Sequence, residues 1–486
     1  MDPVWQAHAS ERNVSKMQVR RTATAVIFAM ILAAGTAAAQ PAGSVVQPQA
    51  GAANSPFLGS VPKGTATSQP LSLTVRDAVE RALQNNLGLL LQEESANAAH
   101  GARWRTLADL LPNLTGTLAE SRQVINLQAY GFPANPPLVG PFNIFDARVA
   151  VSAPVIDLAA MNEARAASLN EKAAKYGVRT ARDLVVLVTV NLYLEAIAQN
   201  SRVEMARAQM QTAEELFKQA QDLKASGLVA GVDVIRAQAQ RETQRQRSIA
   251  AENDFEKAKL QLAHAIGIPV GQPLTLTDTI PYAPLPTPPV EESIARALET
   301  RADYLAAKSR FEAAQAAATA ARDALLPSFR VDANFGAIGP AVGTALNTYA
   351  MAATVRVPIF DAGKTTARRI EASSALRQRE AELADYKSRV EFEVRSALLD
   401  LRAAEQQLQA AQTSVQLGNE ELRQARDRFA AGVAGNLEVT QAQEAVATAS
   451  DTYVAALYGH NLAKASLARA LGVAESAVMA YLGGGK

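Results

Sequence analysis

The 486-residue chain contains no cysteine. That absence excludes disulfides, thiolate zinc sites, a cysteine nucleophile and an acyl anchor on an N-terminal cysteine. Histidine is scarce: His8, His100, His264 and His460 are the only four, and no two have ligand-like spacing. Surface or packed imidazoles are therefore expected, with no metal and no cofactor implied. Aromatic residues reach only 5% while alanine is abundant. This mixture favours long helices packed closely through small side chains over a bulky globular core. Charge of neither sign dominates, with 48 basic and 47 acidic residues, so nucleic acid is not an expected partner. Gly-rich phosphate loops, nucleophile elbows and zinc-binding helix motifs are missing as well, and the carboxylates mostly decorate amphipathic helices. The chain does not read as an enzyme.

Long apolar runs are also lacking. The one short run, over residues 23–34, follows Arg20 and Arg21 and precedes Ala37, Ala38 and Ala39, a small-residue cleavage site before Gln40. Residues 1–39 read as a secretory signal peptide, with Met17 an alternative start; a membrane anchor would need a run of about 20 residues. No later stretch is apolar enough for a spanning helix, so a membrane protein of this kind must cross as a closed β-barrel. Residues 40–70, rich in Pro, Ala, Gly, Ser and Gln, read as a disordered linker.

What the chain does contain is an internal duplication. "LSLTVRDAVERALQNN" is answered by "PVEESIARALETRAD", with Val75 on Val290, Arg81 on Arg296 and Leu83 on Leu298. In the same order "LLPNL" matches "LLPSF", "RVAVSAPVID" matches "ATVRVPIFD", "ASGLVAGVDVIRAQAQ" matches "AAGVAGNLEVTQAQEA", and "LAHAIGI" matches "LARALGV". Two copies, 71–268 and 290–475, are joined by a Pro-rich crossover, 269–289, and followed by a tail, 476–486.

Each copy reads as helix, strand, strand, long helix, turn, helix. Phe329, Val331, Ala333, Phe335 and Ala337 alternate with Arg330, Asp332, Asn334 and Gly336; Met351, Ala353, Val355 and Val357 alternate with smaller or polar residues; so do Phe145, Ala147, Val149 and Val151. The implied hairpins span about 113–153 and 328–358, and the opening strand alternates less cleanly. Alternation alone fits a half-buried sheet in a soluble protein equally well. Strands of about ten residues in two isolated hairpins, behind a signal peptide, favour an outer-membrane barrel. The long helices, 158–225 and 363–431, would each reach on the order of 100 Å. In the second, Ala397, Leu401, Ala404, Leu408, Ala411, Val415, Gly418 and Leu422 form a heptad seam of alternating large and small residues.

In order and doubling these features resemble the TolC-like outer membrane efflux family over residues 71–475. The resemblance implies an α+β membrane protein: a homotrimer in which each protomer gives four strands to a twelve-stranded barrel in outer-membrane lipid and its helices to a periplasmic tunnel. It implies a passive exit duct of a tripartite efflux system, partnered by a periplasmic adaptor and an inner-membrane transporter. Type I protein secretion and a non-conducting, periplasm-spanning coiled-coil scaffold remain alternatives. Pro154, Asp157, Pro358 and Asp361 would mark the passage from barrel to tunnel. The helix turns, Gly227, Leu228, Val229, Ala230 and Gly432, Val433, Ala434, would contact the adaptor, beyond the plain capping role of glycine. Asp233 and Glu438 would ring the pore entrance and attract cations, or serve only as first-turn acids stabilised by the helix dipole. The family's usual entrance-locking Arg is Ala434 here, a second pore-facing Asp is Gln441, and the tip Tyr is Phe429. Lys224, Arg426 and Arg428 are the remaining lock candidates, with an intersubunit Asp233–Arg428 contact the expected one.

Overall fold

A computed structural model describes residues 55–482, apart from 134, 228, 280, 281, 287, 432 and 434. The expected signal peptide and the first part of the linker fall outside the described residues. In chain order the elements are β1 (Leu71–Leu73), α1 (Val75–Asn85), α2 (Leu87–Ala108), β2 (Asn113–Asn126), β3 (Leu138–Ile156), α3 (Leu158–Ala225) and α4 (Gly231–Ile266). The same succession follows as β4 (Leu274–Leu276), α5 (Val290–Thr300), α6 (Ala302–Asp323), β5 (Ser328–Gly339), β6 (Leu346–Arg356), α7 (Lys364–Ala430) and α8 (Asn436–Ala470), with α9 (Ala474–Tyr481) closing the chain.

α3 has 68 residues and α7 has 67, about 100 Å of helix each. Alanine makes such lengths packable. On α3 the buried positions include Ala164, Ala173, Ala181, Ala196, Ala206, Ala213 and Ala220, so α4, α6 and α8 approach its backbone closely. In the α7 seam Ala397, Leu401, Leu408, Ala411 and Gly418 are buried. A Cβ on Gly418 would meet Val446 of α8 at 3.5 Å.

Large side chains concentrate halfway along the helices. Leu73, Leu89, Val185, Tyr193, Ile197, Leu262 and Ile266 form one cluster; Val390, Val394, Leu398, Leu401 and Leu467 form a second. The short elements wrap this level. β1 and β4 pair in parallel, and the single proton of the Tyr193 hydroxyl is shared between the Leu73 carbonyl (2.8 Å) and Asp278 (2.9 Å).

Two segments differ from expectation. Composition places residues 55–70 in a disordered linker, yet this segment is fixed to the core. The His264 Nδ1–H donates to the Leu58 carbonyl (2.9 Å), the Asn86 amide to the Phe57 carbonyl (2.7 Å), and the Phe57 ring fills the space where a Cβ of Gly88 would stand, 2.5 Å away. Composition predicted disorder, but burying one aromatic ring and pairing the backbone suffice to order the segment. Nor are residues 476–482 a plain tail. Ala474, Val478 and Leu482 recur at helical spacing and bury against Val186, Val190 and Leu194 of α3, while Arg182 holds Glu475 through two bonds of 2.6 and 2.8 Å.

Buried charge sits on both long hairpins. Glu171 of α3 is 2% exposed and receives Lys175 (2.6 Å), Arg103 (2.9 Å) and His100 (3.1 Å). Hydrogen bonds from Lys175 and His100 hold its carboxyl down at about 2. A depressed carboxylate stabilises the fold above its ordinary value of 4.5 and loses that contribution as pH falls toward about 2. Because the three cations reach into solvent, Glu171→Gln is expected to cost about 1–2 kcal/mol at pH 7 and little below pH 2, read as the shift in thermal midpoint.

Lys464 of α8 is fully buried beside His460, with its ammonium donating to the Ala283 carbonyl. Burial lowers it to about 8, partly offset by Glu405. The folded state then binds this proton less readily than the unfolded chain, so stability rises with pH between about 8 and 10.5. Lys464→Met is expected to raise the thermal midpoint at pH 7, by up to about 3 kcal/mol of stability, with the gain fading above pH 10.

Candidate functional site

The four long strands form one antiparallel sheet in the order β2-β3-β5-β6. Register assigns each side chain to a face. Leu114, Val151, Ala333 and Met351 form one cross-strand row; Gly116, Val149, Phe335 and Tyr349 form the next; Leu118, Ala147, Ala337 and Asn347 follow. That face is apolar and bare: Leu114, Leu118, Phe335, Tyr349 and Met351 are 62–79% exposed. At about 3.4 Å per residue and a tilt near 40°, the run from Phe329 to Ala337 stands about 20 Å tall, against about 25 Å for the apolar band of an outer-membrane barrel.

The opposite face carries Asn113, Ser152 and Asp332 in one row and Thr117, Arg148, Gly336 and Thr348 in another. Arg148 pairs with Asp146 at 2.6 Å, and Arg330 donates to the Ser152 hydroxyl at 3.2 Å. One wall is thus suited to hydrocarbon and the other to water. The outer edges of β2 and β6 have no strand partner among the described residues, so the four strands of one chain do not close.

β2 slips register between Gln123 and Ile125, opposite Pro141, which has no N–H for the ladder. β3 begins at Leu138, so the connection between β2 and β3 is confined to residues 127–137.

The two sheet-to-helix junctions are built differently. Pro154 lies within β3, opposite Arg330 and next to a register slip before Ile156; it does not end the strand, because the slip removes the need for its N–H. Asp157 caps α3 by accepting from the Ala160 N–H at 2.9 Å. Pro358 lies past the end of β6. Asp361 accepts from the N–H of Gly363 (3.1 Å) and Thr365 (2.7 Å), and Ala362 and Gly363 turn through positive φ before α7 begins.

At the far ends, α3 and α4 are joined through Gly227, whose φ is +75° and whose N–H returns to the Lys224 carbonyl at 3.0 Å. Lys224 reaches back toward the start of α4, within 3.8 Å of a Cβ placed on Gly231. Val229 is half-buried and Ala230 is the N-cap of α4. The second turn closes with the Val433 N–H on the Arg428 carbonyl at 3.0 Å, and Val433 is 73% exposed. Leu228, Gly432 and Ala434 lie outside the described residues. Phe429, Ala425, Val439 and Ala442 pack under the turns with Leu216 and Leu223.

Asp233 lies in the first turn of α4, 3.5 Å from Arg236. Glu438 lies in the first turn of α8, 3.0 Å from Arg428 of the same chain. An Asp233–Arg428 contact between copies would require that pair to open. Arg426 faces a different way, into a cleft between the hairpins. Reading the sequence alone missed Glu444, which draws Gln240 (2.9 Å) and Arg247 (3.0 Å) of α4 onto α8; partners some 200 positions apart leave no local signal.

Arg428→Ala is expected to leave Glu438 uncompensated, raising single-channel conductance and cation preference in a planar bilayer. Unchanged conductance would show that the pair only ties α7 to α8.

A model of the outer membrane efflux protein family matches residues 78–268 and 293–473. The toluene efflux pump outer membrane protein TtgC of Pseudomonas putida is 25% identical over 421 residues, 82% of each chain. The pyoverdine export outer membrane protein OpmQ of Pseudomonas aeruginosa is 25% identical over 407 residues, 81% of this chain and 84% of the relative. Among solved structures, the Campylobacter jejuni CmeC outer membrane channel superposes with a TM-score of 0.74 at 18% identity, over 91% of this chain and 95% of that one.

Proposed function

The chain belongs to the outer membrane efflux protein family, and from that premise we propose that three copies close a twelve-stranded barrel over a periplasmic helical tunnel. Efflux across the outer membrane is the function of this family of channels. In the proposed assembly the protein is the passive exit duct, fed by an inner-membrane transporter through a periplasmic adaptor. The observation that carries the reading is the sheet: apolar on one face, polar on the other, and open at both edges. Four strands are too few to close, and an edge left bare in lipid would strand its backbone groups; β6 of one copy against β2 of the next satisfies both. A periplasmic scaffold with no channel would have no use for an exposed face of Phe335, Tyr349 and Met351.

The same assembly gathers the helix turns at one end. Gly227, Val229, Ala230 and Val433, together with Leu228, Gly432 and Ala434, would form the adaptor-contacting rim, with Asp233 and Glu438 just inside it. Each carboxylate has an arginine beside it, which lowers the charge a ring of three would otherwise carry. Toluene and pyoverdine, the cargoes in the relatives' names, are unlike one another, as suits a duct whose transporter does the selecting.

The absence of native cysteine gives a clean test. Cysteine pairs scanned along the free edges of β2 and β6, beginning with Thr117→Cys and Thr348→Cys, should cross-link on oxidation into species ending at three chains. Cross-linking within single chains only, at every register, would contradict the closed trimer.

A further inference from the structure

A cavity of about 290 Å³ lies between the α3–α4 and α7–α8 hairpins, short of the helix turns. Its wall includes Gln209 and Thr212 of α3, Gln244 of α4, Arg426 of α7, and Gln443 and Ser450 of α8. A volume of that size would hold about ten waters and falls near the lower end of small-molecule sites.

Its polar groups are unusual for a helical seam otherwise closed by alanine and glycine. Gln244 is 2% exposed and Gln443 is 8% exposed, yet the side-chain oxygen of each has no partner among the described residues. The Gln244 amide nitrogen is already turned to Glu444 at 3.4 Å, which identifies its free end as the acceptor. The Nε of Arg426 is buried and unpartnered too. A guanidinium N–H and two acceptor oxygens face one cavity without bonding one another, and a ligand that brings both an anionic acceptor and a donor satisfies all three.

We propose that this cavity is a binding site for a small carboxylate that also carries a hydroxyl or ammonium donor. The planar guanidinium of Arg426 matches a carboxylate through two parallel N–H bonds, and the donors of the ligand satisfy the Gln244 and Gln443 oxygens. Bound there, the ligand touches all four long helices and ties the two hairpins together. The site is defined within one chain and does not depend on the duct reading.

The test is isothermal titration of the detergent-solubilised full-length protein with malate and with glutamate, using acetate as the carboxylate without a donor and ethanolamine as the donor without a carboxylate. Malate or glutamate should bind saturably, once per chain, at least tenfold more tightly than acetate, with no binding of ethanolamine. Arg426→Gln should weaken binding at least tenfold with helix content unchanged, and Gln443→Met should narrow the gap between malate and acetate. Saturable binding of neither malate nor glutamate, or binding that survives Arg426→Gln, overturns the proposal; equal affinity for acetate overturns the role of the two glutamines.

Discussion

Arginine at both Val149 and Phe335 is expected to leave the protein out of the outer membrane while its helices still fold. The two residues are direct partners across β3 and β5, in the middle row of the apolar face, with Gly116 and Tyr349 on either side. A single arginine at the midplane of a barrel's lipid face costs about 2–4 kcal/mol. Two per chain, repeated in every copy of an assembly, exceed the few kcal/mol by which most folded states are favoured. The contrast is Ala150→Arg, one residue away on the polar face beside Asn334, where the side chain meets water and insertion should stay at the parent level. Membrane fractionation of the three proteins reads the difference. If all three insert equally, the apolar face does not contact lipid.

Gly336→Val should be nearly as damaging, for a packing reason. A Cβ at Gly336 would stand 2.2 Å from the Ala147 carbonyl oxygen and 2.4 Å from the Arg148 Cβ of the neighbouring strand. Neither atom can retreat without parting β3 from β5, the pairing that joins the two hairpins into one sheet. A loss above about 4 kcal/mol is expected, the range reserved for such mechanisms. Gly227→Ala is the mild counterpart: φ is +75° there but nothing lies within 4 Å, so only the backbone penalty of about 1 kcal/mol applies. Heat resistance of the purified assemblies should therefore collapse for the first variant and shift slightly for the second.

Strand faces were legible because alternation is a local property. Phe329 through Ala337 could be sorted into two faces from sequence, and register then set the same residues in rows with Val149 and Met351. The long helices were legible for a similar reason, since the seam from Ala397 to Leu422 repeats every seven residues on one element. What could not be read depends on distant partners. Composition marked residues 55–70 as linker, and only the ring of Phe57 over Gly88 shows why they are held. Pro154 signals a strand end until a register slip opposite Phe329 accommodates it. Proximity to the turn makes Arg426 a lock candidate in the sequence; its unpartnered Nε is visible only once Gln244 and Gln443, on two other helices, are seen around the same cavity. The burial of Lys464 has no local signal either, because helical periodicity on α8 does not reveal that the crossover at Ala283 covers it.

Conduction by the assembled protein follows from a closed barrel over a helical tunnel. It is tested most directly by recording single channels from the purified mature protein in a planar bilayer, with and without a divalent cation on the side of the helix turns. Long-lived, discrete conductance steps are expected, reduced by the ion and restored when Asp233 and Glu438 are neutralised together. A protein shown to be inserted that passes no current, even after the two turns at 226–230 and 431–435 are removed to open the entrance, would contradict it.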